Sequence, residues 1–220
     1  MKRTVITTSD GSSTLKVEDW GETYHSVHGA IQEALHVYIK NGFERINKEE
    51  CRILEMGFGT GLNTLLTFIN AKSLGRKVVY HGVEGFPLNK YEVEGLNYTS
   101  DGDMRDFEKV FESLHSSEWE REIGLTEFFS LKKIESKFES LSLNQEYDLI
   151  YFDVFGYPYQ PELWSEAIFE KMYGALNENG LLVTYACRGV IKNAMKKVGF
   201  EIEVCPGPPG KREMLLAWKR

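Results

Sequence analysis

Long apolar segments are missing from this 220-residue sequence. It contains no apolar run of about 18 residues, the length that a membrane-spanning helix needs. Its first residues, MKRTVITTSDGSS, turn polar directly after Ile6 and lack the apolar centre of a secretory signal. Together with a mean hydropathy of -0.35, these absences predict a soluble, cytoplasmic protein with no membrane partner.

Cysteine is also scarce. The chain has 3 cysteines, and none stands in the CxxC or Cys/His spacing of metal sites. We expect them to be small core residues, because free cysteine is among the most frequently buried residue types. The sequence therefore predicts no metal site.

Positive charge is in deficit. There are 26 Lys and Arg residues against 33 Asp and Glu, which gives a net charge of -7. This balance argues against a protein that coats nucleic acid non-specifically. A local basic patch is still compatible with it, since the chain ends with a positive cluster at Lys211, Arg212, Lys219 and Arg220.

Strand-like and helix-like segments alternate along most of the chain, without repeats or low-complexity linkers. The predicted strands are short apolar runs rich in β-branched and aromatic residues, at 51–56, 77–84, 147–153, 180–186, 201–205 and 213–218. The predicted helices lie between them at 62–72, 91–97, 165–176 and 189–197. This alternation predicts a single α/β domain, a Rossmann-like, doubly wound and mostly parallel sheet with helices on both faces.

Residues 1–50 have a different pattern. Segments 4–8 and 14–17 flank an Asp-Gly turn signal and predict a small hairpin, followed by a helix at about 28–39. We expect residues 1–50 to form a cap on a core at 51–220 within the same domain. Residues 99–124 carry apolar side chains at helical spacing and predict one amphipathic insertion.

A glycine-rich loop, Glu55-Met56-Gly57-Phe58-Gly59-Thr60-Gly61-Leu62-Asn63, joins the first predicted core strand to the next helix. Glycine at 57, 59 and 61 allows positive φ and a close approach of the backbone to a ligand. The loop would deliver that ligand to the unpaired N–H groups at the helix start. The alternative is that the tight turn needs glycine for packing alone.

The spacing of these glycines is GxGxG, whereas dinucleotide-binding loops read GxGxxG. With Glu55 at its head, the loop resembles the first motif of class I methyltransferases, which holds the amino-acid part of S-adenosylmethionine. That resemblance places Glu55 near the methionine ammonium. Glu84 ends the next predicted strand, where an acid binds ribose hydroxyls. An NAD-dependent dehydrogenase is the alternative, because it shares this arrangement of strand, loop, helix and acid.

Asp153 ends the strand predicted at 147–153 and opens a loop with Phe155, Tyr157 and Trp164. Ligands of open α/β sheets bind beyond the carboxyl ends of the strands. A carboxylate beside aromatic rings suits a flat substrate with a reacting amine, since the rings stack on a base and the carboxylate accepts a proton. The alternative is that Asp153 caps the next segment and the three aromatic residues belong to the core.

Several stretches together resemble one family, the methyltransferase domain of MnmC/MnmD-type enzymes of tRNA wobble-uridine modification, which is also found as a stand-alone protein. The matching stretches are Glu22-Thr23-Tyr24-His25-Ser26, the segment from Gly29 to Val37, the glycine loop, Glu84-Gly85-Phe86-Pro87-Leu88, Phe152-Asp153-Val154-Phe155, Pro161-Glu162-Leu163-Trp164 and Lys211-Arg212-Glu213-Met214-Leu215. The resemblance implies N-methylation of the 5-aminomethyl group of (2-thio)uridine in the tRNA anticodon loop, with S-adenosyl-L-methionine as the cofactor.

The resemblance also implies residue roles. Asp153 would be the catalytic carboxylate that contacts the amine, and Tyr24 and His25 would close over the cofactor. The expected cofactor contacts are Tyr24, His25, Glu55, Gly57, Gly59, Gly61, Asn63 and Glu84. The expected substrate contacts are Phe155, Tyr157 and Trp164, together with Arg188, Lys211 and Arg212 on the anticodon-loop phosphates. For the basic residues, the alternative is a solvated charged face.

This sequence departs from the family pattern at three positions. His25 replaces a Phe, and Val154 and Gly156 replace alanines. No flavin-dependent oxidase half follows, so we expect methylation alone, with a separate oxidase or other upstream enzymes of wobble-uridine modification.

Three other functions compete with this interpretation. An N-methyltransferase for a small amine would also use an acidic pocket around Asp153. An aminopropyltransferase is disfavoured, because its longer glycine and acidic loop is not seen. A non-catalytic module for S-adenosylmethionine or RNA would bind the cofactor without turnover.

Overall fold

The N-terminal segment forms a separate antiparallel sheet in the computed structural model, which describes residues 1–100 and 102–220. Its strands are β1 (Arg3–Thr7), β2 (Ser13–Val17) and β3 (Glu22–Thr23), in the order β1-β2-β3. The predicted hairpin is confirmed, with Thr7 opposite Ser13. The third strand was not predicted, because two residues are too short to show a period.

An eight-stranded main sheet forms the rest of the scaffold. Its strands are β4 (Glu50–Met56), β5 (Lys77–Glu84), β6 (Glu122–Thr126), β7 (Phe129–Glu135), β8 (Tyr147–Phe152), β9 (Leu176–Thr184), β10 (Glu201–Pro206) and β11 (Glu213–Trp218). They lie in the order β10-β11-β9-β8-β4-β5-β7-β6. Four of the strand pairs are parallel, and the three antiparallel pairs, β10–β11, β11–β9 and β6–β7, lie towards the edges, so the predicted doubly wound, mostly parallel sheet is confirmed.

Helices cover both faces of the main sheet. They are α1 (Ala30–Ala34), which continues as a π-helical segment at Leu35–Lys40, then α2 (Leu62–Leu74), α3 (Lys90–Glu94), α4 (Glu108–Ser116), α5 (Glu166–Ala175) and α6 (Gly189–Val198). Neighbouring residues of one strand face opposite sides, so Ile53 joins the core under α2 and Leu54 the core under α5 and α6. No described residues form a helix long and apolar enough to cross a membrane.

The segment between β5 and β8 differs from its prediction. The expected insertion at 99–124 forms a 3-10 helix at Gly102–Phe107 and then α4, and it ends in the edge strand β6. One of its residues, Asp101, lies outside the described residues. The strands β6 and β7 were missed, because both alternate more buried with more exposed residues and so lack the continuous apolar run used to find the others.

The order of the strands fixes where a ligand can bind. From β4 the chain winds outward through β5 to β7, and it then returns to β8 on the other side of β4. The winding direction thus reverses between β4 and β8. Ligands of open α/β sheets bind in the crevice that such a reversal leaves beyond the carboxyl ends of the strands.

Candidate functional site

A cavity lies at this reversal point, and we call it the first cavity. It has a volume of about 250 Å³ and is lined by residues that follow β4, β5, β7 and β8, among them Gly57, Gly59, Glu84, Phe138 and Asp153. The predicted glycine loop, the acid at the end of β5 and Asp153 are therefore brought together at one place.

Gly57 lets the ends of β4 and β8 touch. Its φ is 96°, and a Cβ atom there would lie 2.2 Å from the carbonyl oxygen of Asp153. The Asp153 N–H in turn donates to the carbonyl of Met56 at 3.0 Å. Any side chain at position 57 would thus push Asp153 away from the glycine loop.

Glu84 is held at the cavity wall by backbone groups. Its Oε2 accepts a hydrogen bond from the Gly59 N–H at 2.9 Å, and its Oε1 accepts one from the Phe86 N–H at 2.8 Å. Burial raises the pKa of this carboxyl, while the two backbone hydrogen bonds oppose the rise. The carboxylate is therefore fixed in position and lines the first cavity.

Asn63 joins two carboxyl groups beneath the cavity. Its Nδ2 donates to Oε1 of Glu55 at 2.9 Å and to Oδ2 of Asp153 at 2.8 Å. Glu55 also accepts from the Thr64 hydroxyl, and burial raises its pKa to about 8. Glu55 is fully buried and lines none of the cavities described here, so Asn63 stands between it and the ligand space.

Asp153 itself is half-buried. Burial raises the pKa of its carboxyl to about 7, and nearby hydrogen-bond donors on Tyr38 and Asn63 oppose the rise. Glu33 raises this pKa further, whereas Lys211 lowers it. This pKa lies close to neutral pH, in the range that suits a proton acceptor.

Tyr24 forms the wall between the first cavity and a second one. Its ring packs edge-to-face on Phe155 at 5.0 Å and lies 3.2 Å from where a Cβ on Gly59 would be. Its hydroxyl accepts a hydrogen bond from Nη1 of Arg3 at 2.9 Å. Arg3 also pairs with Glu92 at 2.7 Å and donates to the carbonyl of Phe86, so it ties Tyr24 to the segment after β5.

His25 lies behind Tyr24 and joins the N-terminal sheet to the glycine loop. Its Nδ1 is 3.0 Å from the hydroxyl of Thr14, and its Nε2 is 3.3 Å from that of Thr60. Burial lowers its pKa to about 4, which keeps the imidazole neutral near pH 7. The ring lines a small inner pocket together with Tyr24, Gly57, Gly59, Asn63 and Asp153.

The second cavity opens on the other side of Tyr24 and has a volume of about 710 Å³. Its walls include Tyr157, Tyr185 and the predicted basic residues Arg188, Lys211 and Arg212. Arg188 and Arg212 lie at the rim, and both are exposed. Lys211 instead points inward, where it pairs with the buried Glu33 and lies over the Tyr185 ring at 4.6 Å.

Three other predicted residues, Gly61, Trp164 and Lys219, lie away from the cavities. Gly61 faces His115, whose Nε2 would lie 3.2 Å from a Cβ at that position. Trp164 is 1% exposed, packs on Phe152 and donates from its indole N–H to the Phe155 carbonyl at 2.9 Å. It is a core residue, so its expected contact with substrate is corrected in favour of the alternative. Lys219 is also buried, with Nζ donating to the carbonyls of Tyr173 and Leu176, and it does not join a surface cluster.

Four residues around the site were missed from the sequence: Arg3, Glu33, Tyr38 and Tyr185. Glu33 left a detectable signal, because it is an acid within the buried stripe of α1 that also contains Ala30 and Ala34. Arg3, Tyr38 and Tyr185 left none, since each sits in a strand, a helix or a loop where its residue type is ordinary.

Comparison with known proteins gives this site a context. The model of a family described as S-adenosyl-L-methionine-dependent methyltransferase matches residues 109–220, just over half of the chain. A crystal structure of MNMC2 from Aquifex aeolicus superposes with a TM-score of 0.81 at 23% identity, covering 100% of this chain and 70% of that one. DesVI from Streptomyces venezuelae superposes with a TM-score of 0.51 at 11% identity, covering 85% and 90%. These likenesses show the fold.

Curated relatives carry the name tRNA 5-methylaminomethyl-2-thiouridine biosynthesis bifunctional protein MnmC. The chain is 25% identical to the one from Marinomonas sp. (strain MWYL1), over 89% of this chain and 31% of the relative. It is 29% identical to the one from Burkholderia thailandensis, over 90% and 32%. The chain thus spans about a third of the length of the curated relatives it matches. On the family match, this chain belongs to the S-adenosyl-L-methionine-dependent methyltransferases.

Proposed function

We propose that this chain transfers a methyl group from S-adenosyl-L-methionine to the primary amine of 5-aminomethyl-(2-thio)uridine at the tRNA wobble position. The observation that carries the proposal is the position of Asp153, a half-buried carboxyl beside the wall that separates the two cavities. The names of the MnmC relatives support the choice of the acceptor.

The first cavity and the inner pocket fit the cofactor. Glu84 offers acceptors to two ribose hydroxyls, and the glycine loop leaves space that a Cβ at position 59 would fill. The Oδ1 of Asn63 is buried and has no hydrogen-bond partner among the described residues, so it is an available acceptor for an ammonium group. When bound, the cofactor supplies a methyl group activated by a sulfonium.

Asp153 would then prepare the acceptor. An alkyl amine enters mainly as the ammonium ion, because amines of this type have a pKa well above 7. The Asp153 carboxylate accepts one ammonium proton and leaves a lone pair on nitrogen. The amine nitrogen forms a bond to the methyl carbon as the bond from carbon to sulfur breaks, and the product remains protonated. Positioning of the amine in line with that bond is the larger part of the catalysis.

Residues 1–50 act as a cap on the core at 51–220 in this proposal. Tyr24 from this segment covers the glycine loop, and Arg3 and His25 hold it there. Tyr157, Arg188 and Arg212 on the second cavity contact the anticodon loop. A separate oxidase or another upstream enzyme supplies the aminomethyl group.

The test uses labelled S-adenosylmethionine and tRNA from cells that cannot complete wobble-uridine modification. We expect label in the methylaminomethyl nucleoside after digestion, and none in tRNA whose wobble uridine carries no amine. Label in small amines but not in tRNA would replace the proposal by a small-amine methyltransferase. Cofactor binding with no label in either acceptor would identify a non-catalytic module.

A further inference from the structure

One ion pair in the second cavity has no role in the proposed chemistry. Glu33 is 7% exposed, and its carboxylate is in direct contact with the Lys211 ammonium. Taking two charges out of water costs several kcal/mol per ion, so a buried pair is weak evidence for stability alone. Its position on the cavity wall suits a role in binding instead.

The backbone holds Lys211 in place. The Lys211 N–H donates to the Pro208 carbonyl at 2.9 Å, which closes a turn with Pro209 and Gly210 at its centre. The φ of Gly210 is 86°, as expected for the third residue of a type II turn that follows proline. A Cβ on Gly210 would also lie 2.2 Å from the ring of His28, so the turn is packed against the cap.

The pair retains free hydrogen-bonding capacity. Lys211 has three N–H donors, and among the described residues its Nζ hydrogen-bonds only to Glu33. Glu33 accepts from Lys211 and from the Ser26 N–H at 2.9 Å, which leaves further lone pairs on both oxygens. A donor and an acceptor therefore lie side by side on the cavity wall.

Tyr185 connects this pair to the reacting centre. Its ring lies under the Lys211 ammonium, and its hydroxyl donates to the carbonyl of Val154 at 2.9 Å, one residue after Asp153. Tyr185 also lines both cavities. A molecule in contact with the pair therefore lies beside the segment that carries Asp153.

We propose that Glu33 and Lys211 bind the polar edge of the methyl acceptor, a pyrimidine base whose ring N–H lies next to a carbonyl oxygen. Lys211 donates to the carbonyl oxygen and Glu33 accepts the ring N–H. This directs the substituent on the neighbouring ring carbon towards Asp153. The inference rests on the proposed function, and it replaces the phosphate contact expected for Lys211 with contact to the base.

The experiment compares two synthetic anticodon stem-loops that carry 5-aminomethyluridine, one of them methylated on the ring nitrogen N3. The wild-type protein should methylate the unmodified base with a kcat/KM about 10 to 100 times higher, since a hydrogen bond to a charged group is worth about 1.5–3 kcal/mol. In Glu33→Leu/Lys211→Met, which removes both the acceptor and the donor, this discrimination should fall towards one. The affinity for S-adenosylmethionine should stay unchanged.

The matched control is Glu166→Leu/Lys197→Met, the same changes in an exposed pair, and it should keep the discrimination. Equal rates on both stem-loops by the wild-type protein would overturn the inference without any variant. So would full discrimination by the double variant, and in either case the proposed function stands. If the wild-type protein binds the cofactor and methylates neither stem-loop, the proposed function fails and the inference fails with it.

Discussion

The two cavities on either side of Tyr24 are lined by different kinds of groups. The first is shaped largely by backbone at the ends of parallel strands, with close approaches at Gly57 and Gly59 and with Glu84 held by two N–H groups. The second is lined by side chains of both charge signs from the cap and from the turn between β10 and β11. Under the proposed function, we expect changes in the first cavity to alter cofactor affinity and changes in the second to alter the choice of acceptor.

Asp153 borders the wall between the cavities, and its replacement should have the largest effect. Asp153→Asn keeps the shape and removes the proton acceptor, so kcat should fall about a hundred-fold or more, with little change in cofactor affinity. The pKa of about 7 is raised in the folded protein, and the carboxylate is the active form in the proposed mechanism. Wild-type kcat should therefore decline as pH falls through about 7, and the variant should lack that decline. A wild-type profile that stays flat across neutral and mildly acidic pH would contradict the assignment.

A change at Gly59 should affect the first cavity alone. Gly59→Val places a side chain at a φ of 49° and towards the Tyr24 ring, so the dissociation constant for S-adenosylmethionine should rise about tenfold or more. Calorimetry measures this dissociation constant. Gly75→Val is the matched control, because Gly75 has a φ of 64° and no atom within 4 Å of a Cβ. Equal losses of affinity in both variants would mean that strain, and not the cavity, causes the effect.

The rim of the second cavity should respond to salt. Arg188→Ala/Arg212→Ala removes two positive charges, so the KM for tRNA should rise several-fold with unchanged cofactor affinity. The slope of log KM against log salt concentration should fall by about one for each phosphate that is no longer neutralised. Arg121→Ala, an exposed arginine paired with Glu118, is the control. An unchanged slope in the double variant would indicate that Arg188 and Arg212 belong to a solvated charged face and do not contact phosphates.

The smallest effect should come from a change in Tyr24, which forms the wall between the two cavities. Tyr24→Phe keeps the ring and removes the hydrogen bond from Arg3, which is worth about 1.5–3 kcal/mol at most for a charged donor. Because the ring stays packed on Phe155, we expect only a few-fold loss of cofactor affinity. Tyr91→Phe, at a residue 83% exposed, should change nothing. A loss of cofactor affinity as large as that of Gly59→Val would show that the hydrogen bond from Arg3, and not packing on Phe155, holds Tyr24 in place.

The first cavity could be predicted from the sequence and much of the second could not. The geometry of a strand, a glycine loop and a helix is set by residues close together in sequence. The positions of Gly57, Gly59 and Glu84 could therefore be predicted from their spacing along the chain. The position of Asp153 near these residues could also be predicted, because the carboxyl ends of parallel strands lie at the same edge of a sheet. The second cavity depends on contacts between residues as distant as Glu33 and Lys211, and sequence spacing does not report them.

Charged residues near the C-terminus show the same limit. Lys211 and Lys219 both belong to a group of charged residues that predicts a surface cluster. In the structure, Lys211 binds a buried carboxylate and Lys219 binds two backbone carbonyls. Lysine is almost never fully buried unless it is paired, and the partner is visible only in three dimensions. Trp164 was misassigned for a related reason, because an aromatic residue beside an active-site loop is equally common in the core.

Asn63 restricts which residues can stand at its position in relatives of this chain. Its amide gives both hydrogens to carboxyl groups, and its oxygen is buried without a hydrogen-bond partner among the described residues. An aspartate at 63 would set three acidic groups against one another, with no N–H between them. A relative that keeps Glu55 and Asp153 but carries aspartate at 63 would have to hold an extra proton there. Position 63 is thus a simple marker, readable from sequence alone, for relatives whose carboxyl at the position of Asp153 is in a different protonation state.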